Sequence, residues 1–198
     1  MIYLAARLAN DVSLHPDMPK PKTKIAKKPA PTAPTATTAT TATTNARSQL
    51  QVQIVLETPD LRPPLKRWLT GEVKRIAALA GVTQGSVTLV IVDDQRMTEM
   101  HGQYKDDLTT TDVLTFDLRE SPDELIEGDL ILCIDEAARQ SKRRQHDTRT
   151  ELLLYAVHGL LHLMGYDDLR AADYRKMHAK EDELFQLAGY GNVFKNKK

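Results

Sequence analysis

The chain has 198 residues with 27 Lys or Arg against 27 Asp or Glu, so no overall charge points to a nucleic-acid coat or a membrane surface. Its single cysteine, Cys133, excludes an intrachain disulfide framework, and no apolar run reaches the roughly 18 residues of a membrane span. One ordinary domain with an extension, in a reducing, soluble, cytoplasmic setting, is the class that remains.

The extension comes first. MIYLAARLANDVSLHP has a short apolar patch without the charged leader and long hydrophobic region of a secretory signal. From Pro29 to Ala46 nearly every residue is Ala, Thr or Pro, which buries too little surface to offset the entropy of ordering, so residues 1–47 are expected to be disordered. They hold seven basic residues and two Asp, leaving 20 basic and 25 acidic residues, a formal net of −5, in a domain spanning 48–198. RNA contact by such a domain needs a local basic patch or a larger partner.

LQVQIVLE from Leu50 alternates apolar and polar side chains as a half-buried strand does. Pro63 and Pro64 announce a helix over Leu65 to Ala80, in which Leu65, Trp68, Leu69, Val73, Ile76, Ala77 and Leu79 recur at helical spacing and Gly81 supplies the stop. Trp68 reads as a core residue. VTLVIVDD from Val87 is nearly continuous in apolar residues, which predicts a strand covered on both faces. A short helix from Gln95 toward Tyr104 follows, with His101 read on its surface. A strand is then expected over Val113 to Leu118, and Cys133, among apolar neighbours, reads as a small core residue with no nucleophilic role.

The next helix ends in Arg139, Lys142, Arg143, Arg144, His146 and Arg149, the densest basic run of the domain. Contact with an RNA backbone is the functional reading. A solvated helix end whose cations favour the helix dipole accounts for the run equally well. From Arg149, Leu152, Leu153, Ala156, Val157, Leu160, Leu161 and Leu163 give a broad apolar face that leads into HGLLHLMGYDD, His158 to Asp168. His158 and His162 lie four residues apart, separated on a helix by roughly 40° and about 6 Å, so both imidazoles share a face. Gly165 can end the helix in a left-handed turn and return the chain so that Asp168 joins them. Three protein donors with one open position make a catalytic zinc arrangement. The competing reading is a pair of structural histidines, since six histidines in 198 residues make a four-residue pair unremarkable by itself.

Leu169 to Leu187 predicts a last helix, with Tyr174, Met177, Leu184 and Phe185 available for packing, the acidic KEDE run as a solvated face and His178 unassigned. GYGNVFKNKK is expected to close the chain as a loose polar terminus. The element order indicates an α/β class: a single compact domain with a small mixed sheet and surrounding helices.

HGLLHLMGYDD also resembles the HGxLHLxGYDH signature of the YbeY family of metal-dependent endoribonucleases, which act in ribosomal RNA maturation, and fits ten of its eleven positions. The preceding region is similar to the family's NxxYRxxDxxTNVLSFP, with His101, Tyr104, Lys105, Thr111, Asp112, Val113, Leu114, Thr115 and Phe116 at the equivalent positions. Gly128, Asp129 and Leu130 resemble the start of its GDIxI strand, which implies a fourth strand over Leu130 to Ile134 followed by a helix, and the likeness covers most of residues 50–190. The resemblance implies the compact YbeY fold and one metal per chain, usually zinc, on His158, His162 and Asp168. Asp168 stands where the family has a third histidine. A carboxylate is a harder, anionic ligand that suits zinc and also admits other divalent ions. Lys105 stands where the family has an arginine implicated in activity; it keeps the charge for a phosphate but lacks the planar fork.

What the resemblance implies is a single-strand-specific endoribonuclease of 16S rRNA processing and ribosome quality control, partnered by ribosomal RNA or ribosomal subunits. Two alternatives stand beside it. One is a noncatalytic, ribosome-associated RNA-binding module with a structural metal. The other is a zinc metalloprotease, whose helix has the same ligand spacing but needs a glutamate where this chain has Gly159.

Overall fold

A computed structural model describes residues 49–58, 63–105 and 109–193; the extension 1–47, the side chains of Tyr104 and Lys105, and residues 194–198 lie outside the description. Among the described residues, four strands and five helices follow in the order β1 (Leu50–Leu56), α1 (Pro63–Leu79), β2 (Gly85–Val92), α2 (Asp94–Lys105), β3 (Val113–Asp117), β4 (Ile126–Cys133), α3 (Ile134–Arg144), α4 (Thr148–Leu163) and α5 (Ala171–Leu187). The sheet order is β1-β2-β4-β3, with β1, β2 and β4 parallel and β3 antiparallel to β4. This is the small mixed sheet expected.

Period-two alternation assigns the strand residues to two cores. Val87, Leu89 and Ile91 of β2 and Leu130 and Leu132 of β4 face a large core shared with α1, α4 and α5. Val90, Val92, Ile131 and Cys133 face the opposite side, where Met97 and Met100 of α2 cover them. A strand buried on both faces loses its polar positions, which is why VTLVIVDD read as a continuous apolar run.

Four local expectations need correction. β4 begins four residues before Leu130, at Ile126, because the polar-looking IEGD segment pairs with Gly85–Thr88 of β2 and carries its glycine where the α4 end packs. A Cβ on Gly128 would lie 2.7 Å from Leu163 Cδ1 and 2.8 Å from the Phe116 carbonyl. The basic run is split between two helices: α3 stops at Arg144, Gln145 takes a left-handed conformation, and Arg149 belongs to the first turn of α4. Arg149 lies over the Trp68 ring at 5.0 Å, so Trp68 packs at the margin of the core, half-buried. The chain end is docked as far as Val193: the Tyr190 hydroxyl donates to Glu72 at 2.8 Å and the Val193 N–H to Asp182 at 3.0 Å.

α4 occupies the centre of the large core and packs against α1, α3, α5, β3 and β4. Asp147 caps its N-terminus by accepting from the Thr150 N–H at 2.8 Å. It packs tightly on the sheet at Gly159, where an added Cβ would lie 2.7 Å from Leu130 Cδ2 and 3.0 Å from the Thr115 hydroxyl. Glycine therefore sets the distance between the histidine-bearing helix and the strand below it.

Gly159→Ala gains about 1 kcal/mol of helix propensity but overpacks this contact, which typically costs about 1–3 kcal/mol. The expected result is a lower midpoint of urea denaturation, measured with a chelator present. A higher midpoint would mean that α4 can move off the sheet at little cost.

Candidate metal centre

The C-terminal end of α4 is closed by a reversal of the Schellman type. Gly165 takes φ +90°, its N–H bonds the His162 carbonyl at 2.9 Å, and the Tyr166 N–H bonds the Leu161 carbonyl at 3.0 Å. Arg119, paired with Asp117 at 2.6 Å, donates to the Leu163 carbonyl at 2.5 Å and ties the loop after β3 to the same helix end. An Asx turn follows, in which Asp167 Oδ1 accepts the N–H of Asp168 at 2.8 Å and of Leu169 at 3.2 Å.

These turns bring the three residues together as the spacing suggested. His158 Nε2 lies 3.2 Å from His162 Nε2 and 3.6 Å from Asp168 Oδ2, and His162 Nε2 lies 3.9 Å from Asp168 Oδ1. Zinc bonds of about 2.0–2.2 Å at tetrahedral angles put neighbouring donor atoms about 3.3–3.5 Å apart, so the set fits such an ion with minor adjustment. Among the described residues it is the group of His, Cys, Asp and Glu side chains able to hold a metal.

The far side of each imidazole is already occupied. His158 Nδ1 donates to Glu181 at 2.7 Å, and His162 Nδ1 to the Tyr166 carbonyl at 3.1 Å. With the proton held on Nδ1, each Nε2 lone pair is free to face an ion, which is the arrangement found around ligating histidines. Burial works against charge on His158, but Glu181, with Asp112 and Asp168 behind it, outweighs burial and holds this imidazole above its ordinary pKa. His162 is pushed below its own, by burial first and then by repulsion from His158.

Glu181 was hidden in the KEDE run expected to be a solvated face. It has no exposed surface and also accepts from His178 Nδ1, so the histidine without a role in the sequence braces the carboxylate that holds His158. The signal was there: Glu181 lies four residues after Met177 and three before Leu184, on the buried stripe of α5. His101 likewise departs from its surface reading. It is 7% exposed, and its Nδ1 is hydrogen-bonded to the Thr109 carbonyl at 2.7 Å.

The basic run does not converge on the centre. Arg139 chelates Asp94 at 2.5 and 2.7 Å and also holds Glu136, while Arg144 bonds the fully buried Glu151 at 2.8 Å. Glu151 is seven residues before His158, about 10 Å along the helix. Lys142 and Arg143 are exposed and make no ion pair among the described residues. The side chain of Lys105, the expected phosphate contact, lies outside the described atoms. Cys133 is buried and its thiol is pushed up to about 11, by burial first and then by Asp94, which fits an inert core residue.

Glu181→Gln keeps the size of the side chain but turns an amide toward one of the two imidazoles, so zinc affinity is expected to fall roughly 10–100-fold in competition with a chromophoric chelator. Glu183→Gln, on the exposed face of the same helix, is expected to leave it unchanged. Arg139 holds the Asp94 carboxyl at about 2, below its ordinary 3.8. A depressed acid stabilises the fold above its unfolded pKa and loses that contribution as pH falls through the folded one. The stability difference between wild type and Asp94→Asn is therefore expected to vanish between about pH 4 and pH 2, and with both partners about 40% exposed it starts from about 1 kcal/mol or less. Urea denaturation across that range measures it.

Comparison with known proteins bears on the whole domain. Residues 41–189 match the family model described as Endoribonuclease YbeY. An Endoribonuclease YbeY of an Anaeromyxobacter species is 35% identical over 141 residues, covering 71% of this chain and 73% of that one. The protein of the same name from Bacillus mycoides is 28% identical over 153 residues, covering 72% of this chain and 98% of its relative. The solution structure of TM1509 from Thermotoga maritima superposes with a TM-score of 0.50 at 22% identity, covering 74% of this chain and 97% of that one, and so shares the fold. With the match spanning the sheet, α4 and all of α5, the chain belongs to the YbeY family.

Proposed function

We propose that this chain is a metal-dependent endoribonuclease that cuts single-stranded RNA in ribosomal RNA maturation and quality control, with zinc on His158, His162 and Asp168. The observation that carries the reading is the convergence of three donor atoms within 4.8 Å, two of them on imidazoles whose other nitrogen is spent on an internal acceptor. Membership of a family whose curated relatives bear the name endoribonuclease supports RNA as the substrate class. Bound there, a zinc ion would supply a Lewis acid for a phosphoryl oxygen or for an attacking water.

The chain's own residues set the charge at the centre. Two neutral imidazoles and one carboxylate leave a divalent ion net positive, which suits a phosphodiester and also admits divalent ions other than zinc. Lys105, at the end of α2, is the residue we assign to phosphate contact; as a lysine it orients the phosphate less strictly than an arginine would. Of the basic run, Lys142 and Arg143 make no ion pair among the described residues, and Arg139 and Arg144 contribute to RNA contact only in competition with their carboxylates. The mildly acidic domain, taken as residues 48–198 with 1–47 as an appendage, leaves ribosomal RNA or a ribosomal subunit to supply most of the binding surface. No helix of the described residues is long and apolar enough to cross a membrane, and the cytoplasm is the compartment this reading requires.

A noncatalytic RNA-binding module with a structural metal is the second reading, favoured by Asp168 and Lys105 at the two positions that depart from the family motif. Peptide hydrolysis has no comparable support, because the crowding at Gly159 leaves no room for a glutamate base. The test begins with elemental mass spectrometry of the purified chain. About one metal per chain is expected, lost in His162→Ala and in Asp168→Ala, together with cleavage of single-stranded RNA. Cleavage that persists in a metal-free His158→Ala/His162→Ala variant would sink the proposal. RNA binding without turnover, unchanged by Asp168→His with Lys105→Arg, would favour the module.

A further inference from the structure

The first half of α5 presents an aromatic ring and cations beside the metal centre. Tyr174 lies on the stripe of Met177 and Glu181, where helical spacing offers it for packing, yet it is 51% exposed. Its ring meets that of His178 in a T-shaped contact, with centroids 4.1 Å apart and planes at 86°. His178 is bonded through Nδ1 to Glu181, which accepts from His158 Nδ1 at 2.7 Å. Three consecutive contacts thus run from the exposed ring to a metal ligand. After a short connection α5 returns alongside α4. Glu181 is level with His158, so Tyr174, roughly 10 Å back along α5, lies on the His162 side of that contact, near the end of α4 where Asp168 enters.

Charge is left over around this ring. Arg170, four residues before Tyr174 and therefore on its face, has a side chain 83% exposed and donates through Nε to Asp173 at 2.9 Å. Lys176 shares that carboxylate at 3.5 Å. Arg175 is exposed and makes no ion pair among the described residues. Three cations thus stand against Asp173 and Asp167, with Asp168 committed to the metal site. On α3, by contrast, Arg139 and Arg144 are taken up by Asp94 and Glu151. A T-shaped contact engages at most one face of the tyrosine ring, which leaves the other face for a second planar group. An aromatic face flanked by cations is how a single strand of nucleic acid is held, its unpaired bases stacked and its backbone neutralised.

We propose that the first half of α5 is a surface for single-stranded RNA, on which Tyr174 stacks one base, Arg170 and Arg175 hold flanking phosphates, and the strand continues to the metal centre. The assignment rests on the endoribonuclease reading for its place in the reaction; the surface itself requires only RNA. Every base has a π-face, so stacking here selects an unpaired strand without selecting a sequence. The His178 contact holds the ring in one orientation before RNA arrives, which lowers the entropy lost on binding. Tyr174 is then the residue that touches RNA, and His178 positions it.

The test follows binding of a labelled single-stranded RNA to the zinc-loaded full chain by fluorescence anisotropy, before appreciable cleavage, and then its steady-state cleavage. Tyr174→Ala is expected to weaken binding about tenfold, with the loss falling on KM more than on kcat, and Tyr174→Phe to bind as wild type does, because stacking needs only the ring. Abasic residues placed one at a time along the RNA should find a position that costs the wild type about tenfold and costs Tyr174→Ala nothing further. Arg175→Ala should lower the slope of log affinity against log salt by about 0.7, the share of one phosphate on a single strand. Zinc content and the urea midpoint should match wild type in all three variants. RNA binding with these responses but without cleavage would keep the surface and remove the nuclease. Binding and cleavage indifferent to Tyr174→Ala and Arg175→Ala would overturn the surface, leave the nuclease standing and free the ring for a protein partner. Zinc lost in Tyr174→Ala, with no abasic position masked by it, would make the ring a brace for His178 alone and likewise overturn the proposal.

Discussion

A carboxylate with no exposed surface is tolerated in a protein interior only when donors surround it, and Glu181 meets that condition with His158 on one side and His178 on the other. The rest of the centre depends on this contact. It joins α5 to α4, keeps the His158 proton on Nδ1 and turns Nε2 toward His162 and Asp168. Removing the carboxylate would leave the imidazole free to rotate or to change tautomer, and two protonated Nε2 atoms could not coexist at 3.2 Å. The candidate centre is thus built from the second layer of contacts outward.

α4 shows how a helix that is apolar on nearly every side accommodates polar work. Glu151 near its start is met by Arg144 and His146, and His158 near its end is met by Glu181. Tyr155, between them, has a buried hydroxyl with no hydrogen-bond partner among the described residues. Close packing at Gly159 and Gly128 seats the helix on β4, and this rigidity holds two imidazoles in a fixed relation. A site carried on a packed helix needs only the return of Asp168 to complete it, and the Gly165 reversal followed by the Asx turn at Asp167 performs that return.

Cationic residues are dense in the sequence around α3, yet much of that charge is spent inside the domain. Arg139 ties α3 to the first turn of α2, and Arg144 neutralises a buried glutamate of α4. Density of charge along a chain measures composition, whereas a binding surface needs charge left over after internal pairing. The charge left over here is small, in keeping with the domain's acidic formal charge.

Periodicity and spacing were sufficient for most of the architecture, because alternation and helical repeats record which side of an element meets the core. They marked β1, β2 and β3, most of the helices, the stop at Gly165, and His158, His162 and Asp168 as a potential set, since four residues on one helix and a glycine-led reversal are local relations; β4 and α3 came from the likeness to the family. What only the tertiary structure decided were the relations between distant segments. Glu181 looks solvated among Lys180, Asp182 and Glu183 until α5 is laid against α4, and His101 looks exposed until Thr109 closes over it. The early start of β4 became visible only when IEGD found partners in β2. Whether a polar side chain is solvated, braced or left open depends on which remote chain packs over it, and local sequence carries no record of that.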